Sequence, residues 1–213
     1  MFMKPVLQFI NYKKSYDYGS KVVLNIPELT LNKDIYWLKG ENGSGKTSLL
    51  KSVAGLIPFD GGIFVSGVNI RKQKMAYRKI VNWAEAEPVY PDFLTGYDLA
   101  NFYRDTKGGS KDQIKELIGL IGIEKYLHQK IGSYSSGMAK KLSLVLAFIG
   151  EPKLILLDEP LITLDSQTVT IIQKLIRQYY ETGITFLISS HQHFDESAGF
   201  TPSLLTIGNQ TIS

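Results

Sequence analysis

The chain has no cysteine among its 213 residues, which excludes disulfides, thiolate metal sites and a cysteine nucleophile. Histidine is scarce as well: of three, His191 and His193 stand two apart with only one other in the chain, a poor supply for a metal centre. No apolar run approaches the roughly 18 to 20 residues of a bilayer-crossing helix, because Lys140, Lys141, Glu151 and Lys153 break up the longest apolar regions. The apolar patch behind Lys4, residues 5–10, is too short for the core of a secretory signal. A cytoplasmic protein is expected. Charge of one sign is not in large excess either: 24 Lys and Arg against 20 Asp and Glu leave a net charge of +4, too mild to imply nucleic acid. The one dense basic segment, Arg71, Lys72, Lys74, Arg78 and Lys79 around Met75 and Tyr77, reads as a solvated surface helix over residues 71–79. With 44% apolar and 21% charged residues, the chain is globular and of a size for one domain with room for an inserted subdomain.

What is present is a phosphate loop. Residues 40–47 read Gly-Glu-Asn-Gly-Ser-Gly-Lys-Thr, preceded by the apolar run Ile35, Tyr36, Trp37, Leu38 and followed by the helix-forming Ser48, Leu49, Leu50. Between a strand and a helix, such a segment curls its backbone N–H groups around an anion while the helix N-terminus adds partial positive charge. Gly40, Gly43 and Gly45 supply the dihedrals and the missing side chains. Glu41, Asn42, Ser44 and Ser48 complete the lining, Lys46 reaches the β- and γ-phosphates, and the Thr47 hydroxyl ligates a magnesium ion. The chain is expected to bind a nucleoside triphosphate with Mg2+. A guanine-specific switch protein needs Asn-Lys-x-Asp downstream of the loop; the nearest string, Asn32-Lys33-Asp34, lies upstream with the wrong spacing, so ATP is expected. Tyr16 and Tyr18 stand ahead of the loop as candidates to stack on adenine, Tyr18 being preferred.

Along the chain, strands are predicted at 7–12, 21–24, 34–39, 63–65 and 80–84, with a turn at Asp60-Gly61-Gly62 and a short helix from Thr47 to Ala54. From Pro88 the apolar period becomes helical. Thr95 can cap a helix over 96–104, and Ser110 with Gln113 forms a capping box for one over 112–120. This helical block, 88–132, is set into a chain that otherwise alternates strand and helix. Leu142, Val145, Leu146 and Ile149 mark one face of a helix over 140–149 that Pro152 stops. The all-apolar Leu154-Ile155-Leu156-Leu157 is a parallel strand buried on both faces. Ser166 caps a helix ended by Gly183, residues 184–189 form another buried strand, and 204–212 read as a hairpin.

In open parallel sheets ligands collect at the carboxyl ends of strands. Here three apolar strands end in Lys46 with its loop, in Asp158-Glu159, and in His191. Asp158 can hold the magnesium's water shell, Glu159 can orient or deprotonate the attacking water, and His191 can hydrogen-bond the γ-phosphate.

At Tyr134-Ser135-Ser136-Gly137-Met138 stand residues that a generic phosphate-loop enzyme does not require. They resemble the signature of the ATP-binding cassette (ABC) family, usually Leu-Ser-Gly-Gly-Gln, at the expected place before the helix, Pro152 and the Asp158-Glu159 strand. The resemblance extends from Leu7 to Ile212. It implies an α/β fold: a P-loop NTPase core of RecA-like kind with an N-terminal antiparallel β subdomain (1–87 and 133–213) and an inserted helical subdomain (88–132), all one domain. It also implies a head-to-tail dimer in which ATP lies between one copy's phosphate loop and Ser135, Ser136 and Gly137 of the other. Leu164-Asp165 resembles the family's D-loop. The Q-loop glutamine is absent: Glu85 or Ala86 occupies its place beside Glu87, and the Glu85 carboxylate would serve a metal-bound water. Ser136 and Met138 replace a glycine and a glutamine, and Ile162 a common serine, changes expected to slow the ATPase without removing its machinery.

The function implied is the ATPase subunit of a transporter, closest to bacterial exporter types, whose spanning subunits are separate chains contacted through 88–132. Such a subunit would sit on the inner face of the cell membrane through that partner. A soluble ABC protein of DNA repair or translation is the alternative; such proteins usually add coiled coils, zinc elements or a second cassette. A regulatory subunit with little turnover is a third.

Overall fold

In a computed structural model of the chain, residues 5–19, 21–191 and 199–213 are described. Among them ten strands form two sheets. The first is antiparallel, in the order β2-β1-β4-β5: β1 Leu7–Tyr16, β2 Lys21–Leu31, β4 Asp60–Val65 and β5 Val68–Asn69. The second has the order β10-β9-β3-β8-β7-β6: β3 Ile35–Lys39, β6 Val81–Ala84, β7 Leu154–Asp158, β8 Thr185–Ser189, β9 Ser203–Gly208 and β10 Thr211–Ile212. It is parallel except for the terminal β9–β10 hairpin.

The period-two geometry of a strand explains how one parallel sheet serves two cores. Every residue of β7 and β8 is buried, but their side chains divide by face. Ile155, Leu157, Phe186 and Ile188 join one apolar cluster, and Leu154, Leu156 and Leu187 join the other. The first is covered by helices α3 Gly96–Lys107, α4 Lys111–Ile121, α5 Ser136–Phe148 and α6 Ser166–Glu181. The second is covered by α1 Lys46–Val53, the buried Tyr77 of α2 Lys74–Ile80, and the inner face of the antiparallel sheet. Each fully buried Leu or Ile contributes roughly 2 kcal/mol. The helical stretch 88–132 shares its core with α5 and α6 through Leu99, Ile114, Leu117, Ile118 and Ile121.

Several boundaries differ from expectation, each for a local reason. β1 runs on to Tyr16 because β2 pairs with it as far as Tyr16↔Lys21, past a bulge at Lys14/Ser15. Residues 60–62 begin β4 instead of turning. There Gly61, at φ 86°, passes so close to β1 that a Cβ would lie 2.1 Å from the Asn11 carbonyl oxygen. The basic helix starts at Lys74, not Arg71, because the Asn69 side chain accepts from the N–H groups of Arg71 and Lys72 and holds them in a turn. Thr95 forms a complete capping box with Asp98. Ser110 caps α4, but Gln113 turns away from it to the carbonyls of Phe148 and Gly150. The cap of α6 is Asp165, not Ser166: its carboxylate accepts from the Thr168 N–H.

Candidate functional site

β3 delivers the chain into the 40–45 loop and α1 takes it up. The N-cap of α1 is Gly45, at φ 108°, and no side chain caps the helix. Its first-turn N–H groups lack intrahelical partners and point into the loop, where an anion would satisfy them. A Cβ on Gly45 would lie 2.9 Å from Val23 Cγ1 and 3.1 Å from Leu24 Cγ; the loop rests directly on β2 and leaves no room there. Lys46 is 9% exposed and folds back across the loop, its Nζ donating to the carbonyls of Gly40 (2.6 Å) and Glu41 (3.0 Å). The cation is thereby held over the ring of backbone amides.

A cleft of about 550 Å3 opens beside the loop. One wall is Asn42, Gly43, Gly45, Lys46, Thr47 and Ser48; the second is Ala86, Asp158, Glu159 and His191; the third, from the antiparallel sheet and the turn after β1, is Tyr16, Asp17, Lys21 and Val23. Asp158, 2% exposed, accepts a hydrogen bond from the Ser189 hydroxyl on the neighbouring strand. Glu159 has a left-handed backbone at φ 46°, a conformation that costs about 1 to 3 kcal/mol and clusters at functional sites. Its N–H donates to the Ser189 carbonyl (3.0 Å), its Oε2 accepts from the His191 backbone N–H (3.2 Å), and its Oε1 lies 3.6 Å from His191 Nε2. Oε1 is buried without a hydrogen-bond partner, with His191 Nε2 its neighbour. The donors for a metal are hard oxygens, the Thr47 hydroxyl and the Asp158 carboxylate, a set that fits a magnesium ion completing its shell with phosphate oxygens and water.

Tyr16 borders this cleft, with its hydroxyl 3.0 Å from Ser48 Oγ and the buried Lys14 ammonium 4.2 Å from its ring centroid. The side chain of Tyr18, the ring preferred from sequence, lies outside the described residues, as does His193. Glu85 is not brought to the cleft: Ala86 lines it, while the Glu85 carboxylate points to Lys51, 3.8 Å away. Ser135, Ser136 and Gly137 are not brought there either. Ser135 is the N-cap of α5, its hydroxyl accepting from Met138 N–H, and both serines are exposed. The signature lies on the helix end itself, since α5 starts four residues earlier than predicted.

Four contributors carried no signal in the sequence. Ser189 looked like the last residue of a buried strand, and only the β7–β8 register sets it opposite Asp158. Lys21 and Val23 looked like plain strand residues. Lys140 and Lys141 stood out only as charges that interrupt an apolar region, and the structure divides them. Lys141 Nζ is at the surface, 2.8 Å from Asp165, whose carboxyl it holds well below the usual range. Lys140, 1% exposed, donates to the carbonyls of Glu85 (2.6 Å), Ala86 (3.2 Å) and Asp158 (2.9 Å). Burial pushes its pKa down to about 8, against the pull of Asp158, Glu159 and Glu85.

A family model described as ABC transporter matches residues 24–162. A lantibiotic transport ATP-binding protein of Streptococcus pyogenes is 30% identical over 202 residues, covering 92% of this chain and 86% of the relative. A bacitracin transport ATP-binding protein of Enterococcus faecalis is 33% identical over 196 residues, covering 90% of this chain and 63% of the relative. The chain likewise spans 63% and 61% of two Bacillus subtilis relatives, a little under two thirds of their length. Among solved structures, a dimeric ATP-binding cassette in a post-hydrolysis state bound to ADP and Pi superposes with a TM-score of 0.83 at 19% identity, covering 97% of this chain and 96% of that one. At that identity the likeness is one of fold.

Proposed function

The chain belongs to the ABC transporter family, and from that premise we propose that it is the ATP-binding and hydrolysing subunit of a transporter whose membrane-spanning helices lie on other chains. The observation that carries this reading is the convergence in one cleft of the 40–47 loop with Asp158, Glu159 and His191. The 40–47 amides, Ser48 and Lys46 grip the β- and γ-phosphates, and the Tyr16 ring stacks on the adenine. Glu159 orients the attacking water and takes its proton, while His191 hydrogen-bonds the γ-phosphate. Thr47, and Asp158 through water, would hold a magnesium ion, which would supply neutralising charge at the phosphate oxygens. Glu85, turned toward Lys51, stands apart from that set.

Ser135, Ser136 and Gly137 are exposed or half-exposed, away from the cleft of their own chain. A site that uses both needs two copies, head to tail, each offering its signature to the other's loop. No helix among the described residues is long and apolar enough to cross a membrane, and two relatives are named as transport ATP-binding proteins. These names support transport over DNA repair or translation. The contact to the membrane chains falls on the 88–132 block and its border with α2. There Phe102, Met75 and Leu56 are 61%, 73% and 56% exposed around a groove of about 350 Å3, and Val89 and Phe93 stand out nearby. Docked in this way, the subunit would sit on the cytoplasmic face of the membrane.

The test is turnover of ATP with magnesium by the purified chain and by Glu159→Gln. Loss of the base should lower kcat by roughly 10^3-fold and let an ATP-bound dimer accumulate on size exclusion. Undiminished turnover in Glu159→Gln, or a wild-type chain that binds no ATP, overturns the reading. Purification of the native complex in mild detergent should bring a membrane-spanning chain with it.

A further inference from the structure

Lys140 sits one helical turn after Ser136 on α5, and its ammonium spends all three donors on backbone carbonyls. Those carbonyls belong to two chain segments past the end of the β6–β7 pairing. The β6–β7 ladder pairs Val81 with Leu154 and ends at Ala84↔Leu157; Glu85, Ala86 and Asp158 all lie beyond its last rung. Ala86 and Asp158 line one wall of the cleft, so two segments of that wall are tied together by one side chain, carried on the helix whose exposed N-terminus is the signature. A packing role at a buried position is filled as well by an apolar side chain of similar volume, since a buried ammonium is costly to desolvate. The ammonium adds direction: three bonds that set the spacing of two strand ends.

We infer that Lys140 is a positioning residue for hydrolysis, holding the Glu85–Ala86 segment and Asp158 at a set distance from α5, so that engagement of the signature by the second copy is transmitted to Asp158 and its neighbour Glu159. Lys140 is not among the residues that line the cleft; it acts through the carbonyls it binds. The inference rests on the ATPase reading above, and it places a coupling contact in a chain that has no Q-loop glutamine.

The experiment compares the full chain with Lys140→Met, which keeps volume and removes every donor, and Lys140→Gln, which restores two donors without charge. kcat and KM for ATP, ADP affinity and thermal melting are read for each. Misplacement of cleft groups by a fraction of an ångström should lower kcat in Lys140→Met by roughly 30-fold, with KM and ADP affinity within about twofold of wild type, and Lys140→Gln should recover kcat to within about fivefold. Unchanged kcat in Lys140→Met, equal losses in the two variants, or a KM that rises as kcat falls overturns the inference. If Lys140→Met does not fold, Lys140→Gln decides alone: kcat lowered about threefold or more at unchanged KM supports it, unchanged kcat overturns it. Failure of both to fold assigns the lysine to stability and also overturns it. A wild-type chain without turnover sinks the ATPase reading together with this inference, whereas an active wild type with insensitive variants sinks this inference alone.

Discussion

Two helices of this protein start from segments rich in glycine and serine, and their N-termini are finished in opposite ways. α1 begins at Gly45 with no side-chain cap, inside a cleft, under a lysine that folds over its own loop. α5 begins at Ser135, whose hydroxyl already accepts from Met138, on an exposed surface. The first end has no side-chain cap, and a ligand's anion would complete it. The second is capped by its own serine. On the proposed function the difference teaches where affinity and where coupling would reside: gripping the phosphates would be a property of one chain, and completing the site a property of two.

The comparison breaks first at Gly45. Gly45→Ala forces an L side chain to φ 108° and into Val23, and ATP affinity measured by titration calorimetry should fall by roughly 100-fold or more as the amide ring opens. Affinity within a few-fold of wild type would show that the uncapped end of α1 is not the grip. At the other helix, Ser135→Ala removes an N-cap worth about 1 kcal/mol and a donor facing the second copy's phosphates, with an expected loss of roughly tenfold in kcat. Single-chain ATP affinity should stay put. A lowered melting temperature with full turnover would reduce the signature to a capping motif. Tyr16→Ala removes a stacked ring worth about 1 to 3 kcal/mol per base, so affinity for ATP should fall roughly tenfold, while affinity for inorganic triphosphate is unaffected; equal losses for both would place the base elsewhere.

The smallest effect separates site from fold. Burial, with Arg78 nearby, pushes the Lys107 pKa from 10.5 down to about 8, and its Nζ donates to the Val81 (2.8 Å) and Arg78 carbonyls. The unfolded chain keeps that proton up to the ordinary lysine value while the folded chain releases it near 8. Between these values the unfolded state binds more protons, and stability rises with pH. Lys140, shifted the same way, adds to the slope. Above 10, tyrosines such as Tyr12, raised to about 12, act in the opposite sense. Urea midpoints should therefore climb from pH 8 to about 10, and Lys107→Met should flatten part of that climb without altering turnover. A slope identical in the variant would assign it to other groups.

Much of the fold was legible because its signals are local. The apolar run 154–157 could only be a doubly buried strand, and the glycines of 40–47 stand between strand and helix; both lie where expected. Asp158, Glu159 and His191 do meet the loop in one cleft. What could not be read came from partners distant in the chain. Nothing near Asp60-Gly61-Gly62 says that β1 passes 2.1 Å from where a Cβ would be. The facing of Ala86 rather than Glu85 into the cleft depends on how the chain leaves β6 beyond its last rung with β7.

By itself, then, the amino-acid order determined the class of fold, the phosphate loop and the kinship of the chain, because backbone propensity, apolar period and glycine placement act within a few residues of where they are written. Only the tertiary structure decided which of two adjacent lysines is buried against three carbonyls, that Tyr16 borders the cleft, and that residues 135–137 lie outside the cleft of their own chain. Those outcomes depend on long-range packing: burial and hydrogen-bond partners are conferred by elements many residues away, and a charged side chain carries no local mark of the neighbours it will meet.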